Sequence, residues 1–385
     1  MNFIMKRCRR VEAYLDNSAT TRPCRAAAEA MLAAMETVWG NPSSLHQKGW
    51  EAQRLVRDAK DALAKALSCR PAEVLFTGSG TQANNLAVLG AAHAQKKKGN
   101  TVVVSAVEHP SVMKAAERLA QEGFDVQKIP VDRYGTIDLE TAERLIDAGT
   151  VLVSVMKVNN ELGTVEPVEA LRPILRRKQS PALLHVDAVQ AFGKLPVSVS
   201  RLGADLVTVS AHKVHGPKGV GALFVKTGVR LTPTVVGGEQ EGGAFPGTEA
   251  TPAIAGFGAA VKAMRIPPIE QIAALRDGFV SKLRALPQVM LNSGDDALPY
   301  IINFSLPGWR SDTVLNALSD RGVYVSSGSA CARGHRSPVL TAAGLDVRRI
   351  DGAIRVSLCD ETTAAELDAC FEAVRAAIAT LRNKS

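Results

Sequence analysis

The sequence is poor in cysteine, and the spacing of the cysteines excludes several kinds of site. Six cysteines occur in 385 residues, which is too sparse for a framework of disulfide bonds. None of them forms a Cys-x-x-Cys pair, so a zinc ribbon or a thioredoxin-like redox site is not expected. The six are Cys8, Cys24, Cys69, Cys331, Cys359 and Cys370.

Long hydrophobic runs are also missing. No apolar stretch reaches the ~18 residues that a membrane-spanning helix needs. The basic start MNFIMKRCRR is not followed by the apolar core of a secretory signal, and Met5 is as good a candidate for the first residue as Met1. We therefore expect a cytoplasmic protein with no membrane partner.

The excess of positive charge is small for the length. Lysine and arginine exceed aspartate and glutamate by 46 − 38 = 8. This permits an acidic protein partner or RNA, but a solubilising surface accounts for it more simply. We expect no direct nucleic-acid partner.

Repeats and low-complexity segments are absent too, and short β-branched runs alternate instead with longer helical patterns. The runs are apolar on both faces, as in strands that helices cover on both sides. Such alternation predicts an α/β fold with a mostly parallel seven-stranded sheet sandwiched by helices. The strand candidates are 73–77, 101–105, 125–129, 151–158, 182–187, 205–210 and 220–225.

The pattern changes after residue 264. A long helix over 269–286, strands near 300–306 and 353–358, and a last helix over 364–381 indicate a smaller α+β domain. We assign residues 17–263 to the large domain. Residues 1–16 together with 264–385 form the predicted small domain.

Several polar residues follow predicted strands, where open parallel sheets place their sites. TGSGT (77–81) opens a helix and could bind an anion, although a simple helix cap explains it equally well. Asp187 ends an apolar strand, and a helix N-cap is as good an explanation for it. Lys213 lies in a loop beside Ser210 and His212, and a lysine there is ordinarily solvated.

The combination points to one cofactor. Thr81, Ser210 and His212 can hold a phosphate, Asp187 a protonated pyridine nitrogen, and Lys213 can bond to an aldehyde. These are the partners that pyridoxal 5′-phosphate requires. His212 and His215 are spaced as in some zinc sites, but further ligands are not evident nearby, so no metal is expected.

At the level of motifs the chain resembles the cysteine desulfurases, which are fold type I pyridoxal-phosphate enzymes of the class V aminotransferase group. The matching segments occur in the family's order and span about residues 14–381. They are YLDNSATT (14–21), GNPSSLH (40–46), FTGSGTQANNLA (76–87), EHPSV (108–112), VNNELGTVEP (158–167), HVDAVQAFGK (185–194), SAHKVHGPKGVGAL (210–223), GTEATP (247–252), SSGSAC (326–331) and IRVSL (354–358).

The resemblance implies a role for each matching residue. Lys213 would bond to the cofactor aldehyde, and the nucleophile would be Cys331 on a mobile loop. The other cofactor-binding residues would be Gly80, Thr81, His109, Asn160, Asp187, Gln190, Ser210, His212 and, from the second subunit of a homodimer, Thr248. His109 would also assist proton transfers, and Asn160 and Arg355 would bind the substrate carboxylate.

The implied reaction converts L-cysteine to L-alanine and leaves a persulfide on Cys331. The sulfur would pass to an acceptor protein, either an iron–sulfur scaffold or a tRNA-thiolation enzyme. The alternatives are a selenocysteine lyase, another class V lyase or aminotransferase, or a non-catalytic partner or RNA-binding protein that kept the fold.

Simpler interpretations remain open for individual residues: a helix-capping role for His109, a turn role for Asn160 and a surface position for Gln190.

Two segments depart from the family pattern. The stretch 237–251 has Gly242 and Phe245 where basic residues are expected, which puts the part of the site supplied by the second subunit in doubt. The residues after Cys331 are unusually basic, with Arg333, His335 and Arg336. This basic patch is a candidate contact for an acidic sulfur acceptor.

Overall fold

The computed structural model describes residues 12–327 and 336–382, with side chains through residue 380. Within these ranges no helix is long and apolar enough to cross a membrane. The strands are β1 (Ala13–Tyr14), β2 (Val74–Thr77), β3 (Thr101–Ser105), β4 (Asp125–Ile129), β5 (Thr150–Met156), β6 (Leu183–Asp187), β7 (Leu206–Ser210), β8 (Gly221–Val225), β9 (Met290–Leu291), β10 (Ile301–Ser305), β11 (Val323–Tyr324) and β12 (Ala353–Ser357).

The helices lie mostly between these strands, and one of them is interrupted. The helices are α1 (Arg25–Glu36), α2 (Gln47–Leu67), α3 (Gly80–Asn85), α4 (Ala91–Gln95), α5 (Pro110–Gln121), α6 (Leu139–Leu145), α7 (Leu171–Arg177), α8 (Val199–Leu202), α9 (Thr251–Ala263), α10 (Ile269–Arg284), α11 (Ser311–Ser319), α12 (Pro338–Ala342), α13 (Val347–Asp351) and α14 (Ala364–Arg382). A π-helical turn, Leu86–Gly90, joins α3 to α4, so residues 80–95 form one continuous helical segment.

The described residues form two compact units. The first unit contains the described residues up to Ala19, the segment Asn160–Thr164 and the chain from Pro267 onward. The second unit contains Thr20–Asn159 and Val165–Ile266. The sequence pattern gives no sign that Asn160–Thr164 groups with the first unit, because it places these residues inside the domain assigned to 17–263.

The second unit is built on a seven-stranded sheet in the order β2-β8-β7-β6-β5-β3-β4. Strands β3 to β7 pair in parallel, whereas β8 runs antiparallel to both of its neighbours, β2 and β7. The predicted α/β fold with a mostly parallel seven-stranded sheet is therefore confirmed. Because parallel strands end at the same edge, the residues that follow β3, β5, β6 and β7 are brought together.

Apolar burial on both faces holds this sheet in place. Every residue of β5, β6 and β7 is buried. On one face, Val102, Leu152 and Leu206 pack with Leu86 of the segment 80–95 and with Leu119 of α5 in one buried cluster. Burying a side chain of this size stabilises the fold by about 1.5–3 kcal/mol.

The first unit contains two smaller sheets. Strands β9, β10 and β12 form an antiparallel sheet in which Asn303 lies opposite Arg355. Strands β1 and β11 pair in parallel, with Ala13 opposite Val323. An isolated bridge from Asp16 to Ser357 continues the pairing of the N-terminal segment.

Candidate active site

The residues predicted for the site in the second unit follow the parallel strands at their shared edge. His109 comes four residues after β3, Asp187 is the last residue of β6, and Ser210 is the last residue of β7. Asp187 and Ser210 are buried, and His109 is half-buried. The structure therefore brings these three predicted residues to one edge of the sheet.

A chain of hydrogen bonds joins His109 to Asp187. His109 Nδ1 lies 2.8 Å from the hydroxyl oxygen of Ser111, which accepts a hydrogen bond of 2.8 Å from Asn84 Nδ2. The same Asn84 nitrogen donates to Asp187 Oδ2 at 2.7 Å. The other carboxylate oxygen of Asp187 accepts from the backbone amide of Val189 at 2.9 Å.

His109 also caps a helix. Its Nδ1 accepts from the backbone amide of Ser111 at 3.1 Å, at the start of α5. The capping interpretation of His109 is thus correct for Nδ1. It is incomplete, because the ring also interacts electrostatically with Asp187 and Lys213. Burial lowers the pKa of His109, and Lys213 lowers it further against the opposing effect of Asp187.

Lys213 and His212 lie in the short turn that follows β7. The His212 ring faces the Thr20 hydroxyl, with 3.3 Å between Nδ1 and Oγ1. Burial, together with the charge of Lys213, lowers the pKa of His212 to about 4. His212 is therefore neutral at physiological pH and offers polar contacts without adding charge.

Ser210 and Gly80 meet where β7 ends and α3 begins. A Cβ atom on Gly80 would lie 3.1 Å from the Cβ of Ser210, so a larger residue would push the two elements apart. The hydroxyl oxygen of Ser210 is buried and makes no hydrogen bond within the described residues. A buried hydroxyl of this kind is ready to bind a ligand oxygen.

Gln190 is buried in the turn after β6, so the surface interpretation of this residue is wrong. The amine of Lys194, also buried, donates to Gln190 Oε1 at 3.0 Å. Because that oxygen already accepts from a cation, the Gln190 side chain is oriented by Lys194.

Asn160 and Arg355 belong to the first unit. Arg355, in β12, donates from Nη1 to the backbone oxygen of Asn160 at 2.9 Å and from Nη2 to Asp16 Oδ1 at 2.8 Å. The side chain of Arg355 is only 3% exposed. A buried cation needs a partner, and Arg355 has one in the carboxylate of Asp16.

Thr248 and Cys331 are not among the predicted residues that the structure brings to the sheet edge. Thr248 is exposed in the stretch 237–251 of the second unit. Cys331 lies outside the described residues, as do Arg333 and His335 of the basic patch. Arg336 is described and forms a two-pronged ion pair with Asp351, at 2.8 and 3.2 Å.

The stretch 237–251, which departs from the family pattern, makes local contacts of its own. Phe245 packs against the buried apolar cluster of the sheet. Glu241 pairs with Lys60, whose amine also lies 5.9 Å from the centre of the Phe76 ring. These contacts fix the stretch through an aromatic side chain and a carboxylate, without the expected arginines.

Sequence reasoning assigned no role to Asn84, Ser111, Lys194 or Asp16. All four occur within the quoted motifs, and each makes a polar contact with a predicted site residue. Their signal in the sequence is a polar side chain at a position that the surrounding pattern predicts to be buried.

Comparison with known proteins identifies the family. The family model for class-V aminotransferases matches residues 13–370. The chain belongs to the aminotransferase class-V family. It is 37% identical over 97% of its length to a protein of Dictyoglomus turgidum named cysteine desulfurase IscS, of which the match covers 96%.

Solved structures agree with this family assignment. A NifS-like protein superimposes with a TM-score of 0.89 at 36% identity, over 96% of this chain and 100% of that one. A structure described as SspA in complex with cysteine gives a TM-score of 0.80 at 33% identity, over 90% and 98% of the two chains.

Members of this family depend on pyridoxal 5′-phosphate, which is the cofactor of this enzyme. The second unit fits that group. It presents a buried carboxylate, Asp187, for a ring nitrogen, and an unengaged buried hydroxyl, Ser210, for a phosphate oxygen. The amine of Lys213, in the turn that follows Ser210, suits the aldehyde.

Proposed function

We propose that the protein is a cysteine desulfurase, which removes sulfur from L-cysteine and forms L-alanine and a persulfide on Cys331. The observation that carries this proposal is the arrangement of Lys213, His109 and Asp187 at the end of the parallel strands. It is supported by relatives that are named cysteine desulfurase and match nearly the full chain.

In this proposal different residues contact different parts of the cofactor. When bound, pyridoxal phosphate supplies an electron sink that makes the substrate Cα–H acidic. Lys213 would bond to its aldehyde and would move the Cα proton, Asp187 would pair with the ring nitrogen, and Gln190 would donate to the ring oxygen. The phosphate would be held by Gly80, Thr81, Ser210, His212 and, from a second subunit, Thr248.

Arg355 and Asn160 bind the substrate carboxylate in this proposal. Arginine offers two parallel donors to a carboxylate, and Asp16 holds Nη2 of Arg355 in a fixed direction. Support for cysteine as the substrate comes from the similar structure of SspA in complex with cysteine.

The thiolate of Cys331 attacks the sulfur of the substrate. The carbon–sulfur bond breaks, its electron pair stays on the substrate carbon, and that carbon takes up a proton to give alanine. The transferred sulfur remains on Cys331 as a persulfide, so the step needs no external oxidant. In this proposal His109 helps to move protons during these steps.

The test is alanine and sulfide production from L-cysteine in the presence of a thiol reductant. We expect turnover in the wild type and its loss in Lys213→Ala and in Cys331→Ala. Cys69→Ala is a matched control, because burial raises the pKa of the Cys69 thiol to about 11 and keeps it unreactive. Full turnover in Cys331→Ala would overturn the persulfide route.

We further propose a homodimer in the cytoplasm that passes sulfur to an acceptor protein for iron–sulfur assembly or tRNA thiolation. Large apolar side chains are exposed between α1 and the start of α2, at Trp39, Leu45 and Trp50. Such exposure is typical of a protein interface. The name IscS of several relatives supports an acceptor of the scaffold type.

A further inference from the structure

Two buried polar side chains, Asn84 of α3 and Ser111 of α5, connect the histidine and the aspartate of the site. Asn84 is 2% exposed and Ser111 is 6% exposed. Buried polar groups in proteins are almost always hydrogen-bonded. In this chain of bonds, the chemistry of each atom determines which partner donates and which accepts.

The direction starts at the Asn84 amide. The amide nitrogen of Asn84 carries two hydrogens and can only donate hydrogen bonds. It donates to both Ser111 Oγ and Asp187 Oδ2. Ser111 Oγ therefore accepts from Asn84, which leaves the hydroxyl hydrogen to be donated to His109 Nδ1 at 2.8 Å. The backbone amide of Ser111 donates to the same Nδ1.

Two donors on Nδ1 determine the protonation state of the ring. A nitrogen that accepts two hydrogen bonds carries no proton, so the single proton of the neutral ring lies on Nε2. The reverse orientation of the Asn84 amide would set its oxygen against the Asp187 carboxylate. In the observed orientation that oxygen is buried and has no hydrogen-bond partner in the described part of the chain.

We propose that Asn84 and Ser111 are positioning residues that hold His109 as a neutral ring protonated on Nε2 and fix the orientation of the Asp187 carboxylate. His109 can then give and take back a proton only at Nε2. The proposal deepens the proposed function and rests on it for its effect on turnover, but the protonation of the ring is a property of the protein alone.

A purely structural role for Asn84 and Ser111 makes a different prediction. The neighbouring residue Asn85 also ties α3 to α5, because its Nδ2 donates to the backbone oxygen of Ser111 at 3.0 Å. Among the described residues, Asn85 makes no hydrogen bond to the side chain of His109 or Asp187. Asn85→Ala therefore loosens the contact between the helices and leaves the hydrogen-bond chain intact. It is the matched control for Asn84→Ala.

The kinetic test compares Asn84→Ala, Ser111→Ala, their double variant and Asn85→Ala. We expect kcat to fall about 10-fold in Asn84→Ala and about 3- to 10-fold in Ser111→Ala, with KM for cysteine nearly unchanged. The double variant should lose less than the product of the single losses, because the two residues act in one chain. Equal losses of kcat in Asn84→Ala and Asn85→Ala would overturn the proposal.

The second test reads the ring directly and needs no turnover. In cofactor-free protein labelled with nitrogen-15 histidine, the His109 signals are assigned by their loss in His109→Gln. We expect an unprotonated Nδ1 and a protonated Nε2 in the wild type, and a higher midpoint of ring protonation in Ser111→Ala. The groups whose charges act on this ring are Asp187, Lys213 and, reciprocally, His212.

A proton on Nδ1 in the wild type, or an unchanged midpoint in Ser111→Ala, would overturn the proposal whatever the activity. If the wild type makes no alanine from cysteine while the ring carries its proton on Nε2, the proposed function fails and the hydrogen-bond chain stands.

Discussion

Buried carboxyl groups lie close to the site without taking part in the proposed chemistry. Glu108 precedes His109 and is fully enclosed, and burial raises its pKa well above the usual value. In Glu166, burial raises the pKa to about 8, although Oε2 accepts from the backbone amide of Ile137. Glu166 is therefore mostly protonated in the folded protein at neutral pH.

Glu166 makes stability depend on pH. Its pKa is about 8 in the folded protein, against an ordinary value of 4.5 for a glutamate. Between these two pH values the folded state binds the extra proton, so stability falls as the pH rises. In Glu166→Gln this loss disappears. We expect its melting temperature, relative to the wild type, to rise from pH 5 to pH 8.

The measurement is thermal unfolding at several pH values, with the exposed Glu140→Gln as control. A melting temperature for Glu166→Gln that stays at a constant offset from the wild type would show that Glu166 is ionised in the folded protein.

Individual residues differ in how far the sequence predicts them. Asp187 and Ser210 end apolar strands, so their position at the sheet edge follows from the pattern alone. Asn84 and Ser111 lie in helices, and their contacts depend on how those helices pack against the sheet. Helical periodicity predicts which side of a helix is buried, but not which polar atoms meet there.

At the scale of elements, β8 shows how closely the backbone is packed near the site. A Cβ atom on Gly221 would lie 2.5 Å from the carbonyl carbon of Ser79 and 2.6 Å from the nitrogen of Gly80. Gly221→Ala must therefore displace the start of α3. We expect it to lower the free energy of unfolding by about 1–3 kcal/mol and to weaken cofactor binding.

The same substitution at Gly278 should have the opposite effect on stability. Gly278 lies within α10 and is exposed, and apart from the adjacent helix backbone no atom of the described residues lies within 4 Å of a Cβ placed there. Gly278→Ala should raise the free energy of unfolding by about 0.5–1 kcal/mol, because alanine favours the helix. Urea unfolding and cofactor absorbance compare both variants, and equal effects would contradict this account.

The elements themselves are largely predictable. The sequence pattern located all seven strands of the large sheet. Six of them are largely buried and leave a continuous apolar signal, whereas in β4 only Ile129 is buried. The antiparallel direction of β8 and the π-helical turn Leu86–Gly90 leave no such signal. Both depend on packing between segments that are distant in the chain.

For the whole molecule, the exposed apolar side chains bear on assembly. Leu45 is 89% exposed, and Trp39 and Trp50 are more than half exposed. We expect the double variant Leu45→Lys, Trp50→Lys to shift the proposed homodimer toward monomer at micromolar concentration. Light scattering coupled to gel filtration measures this, with Val347→Lys as an exposed apolar control in the other unit. A dimer unaffected by the double variant would place the interface elsewhere.

Because β1 pairs with β11, the N-terminal strand can pair only after most of the chain has been synthesised. Ala13 lies opposite Val323, 323 − 13 = 310 residues later. At about 5–20 residues per second, the ribosome needs about 15–60 s to supply that partner. The second unit ends at Ile266, so all its strands have been synthesised before β11 exists. Among the described strands, β1 is thus synthesised first and is one of the last to pair.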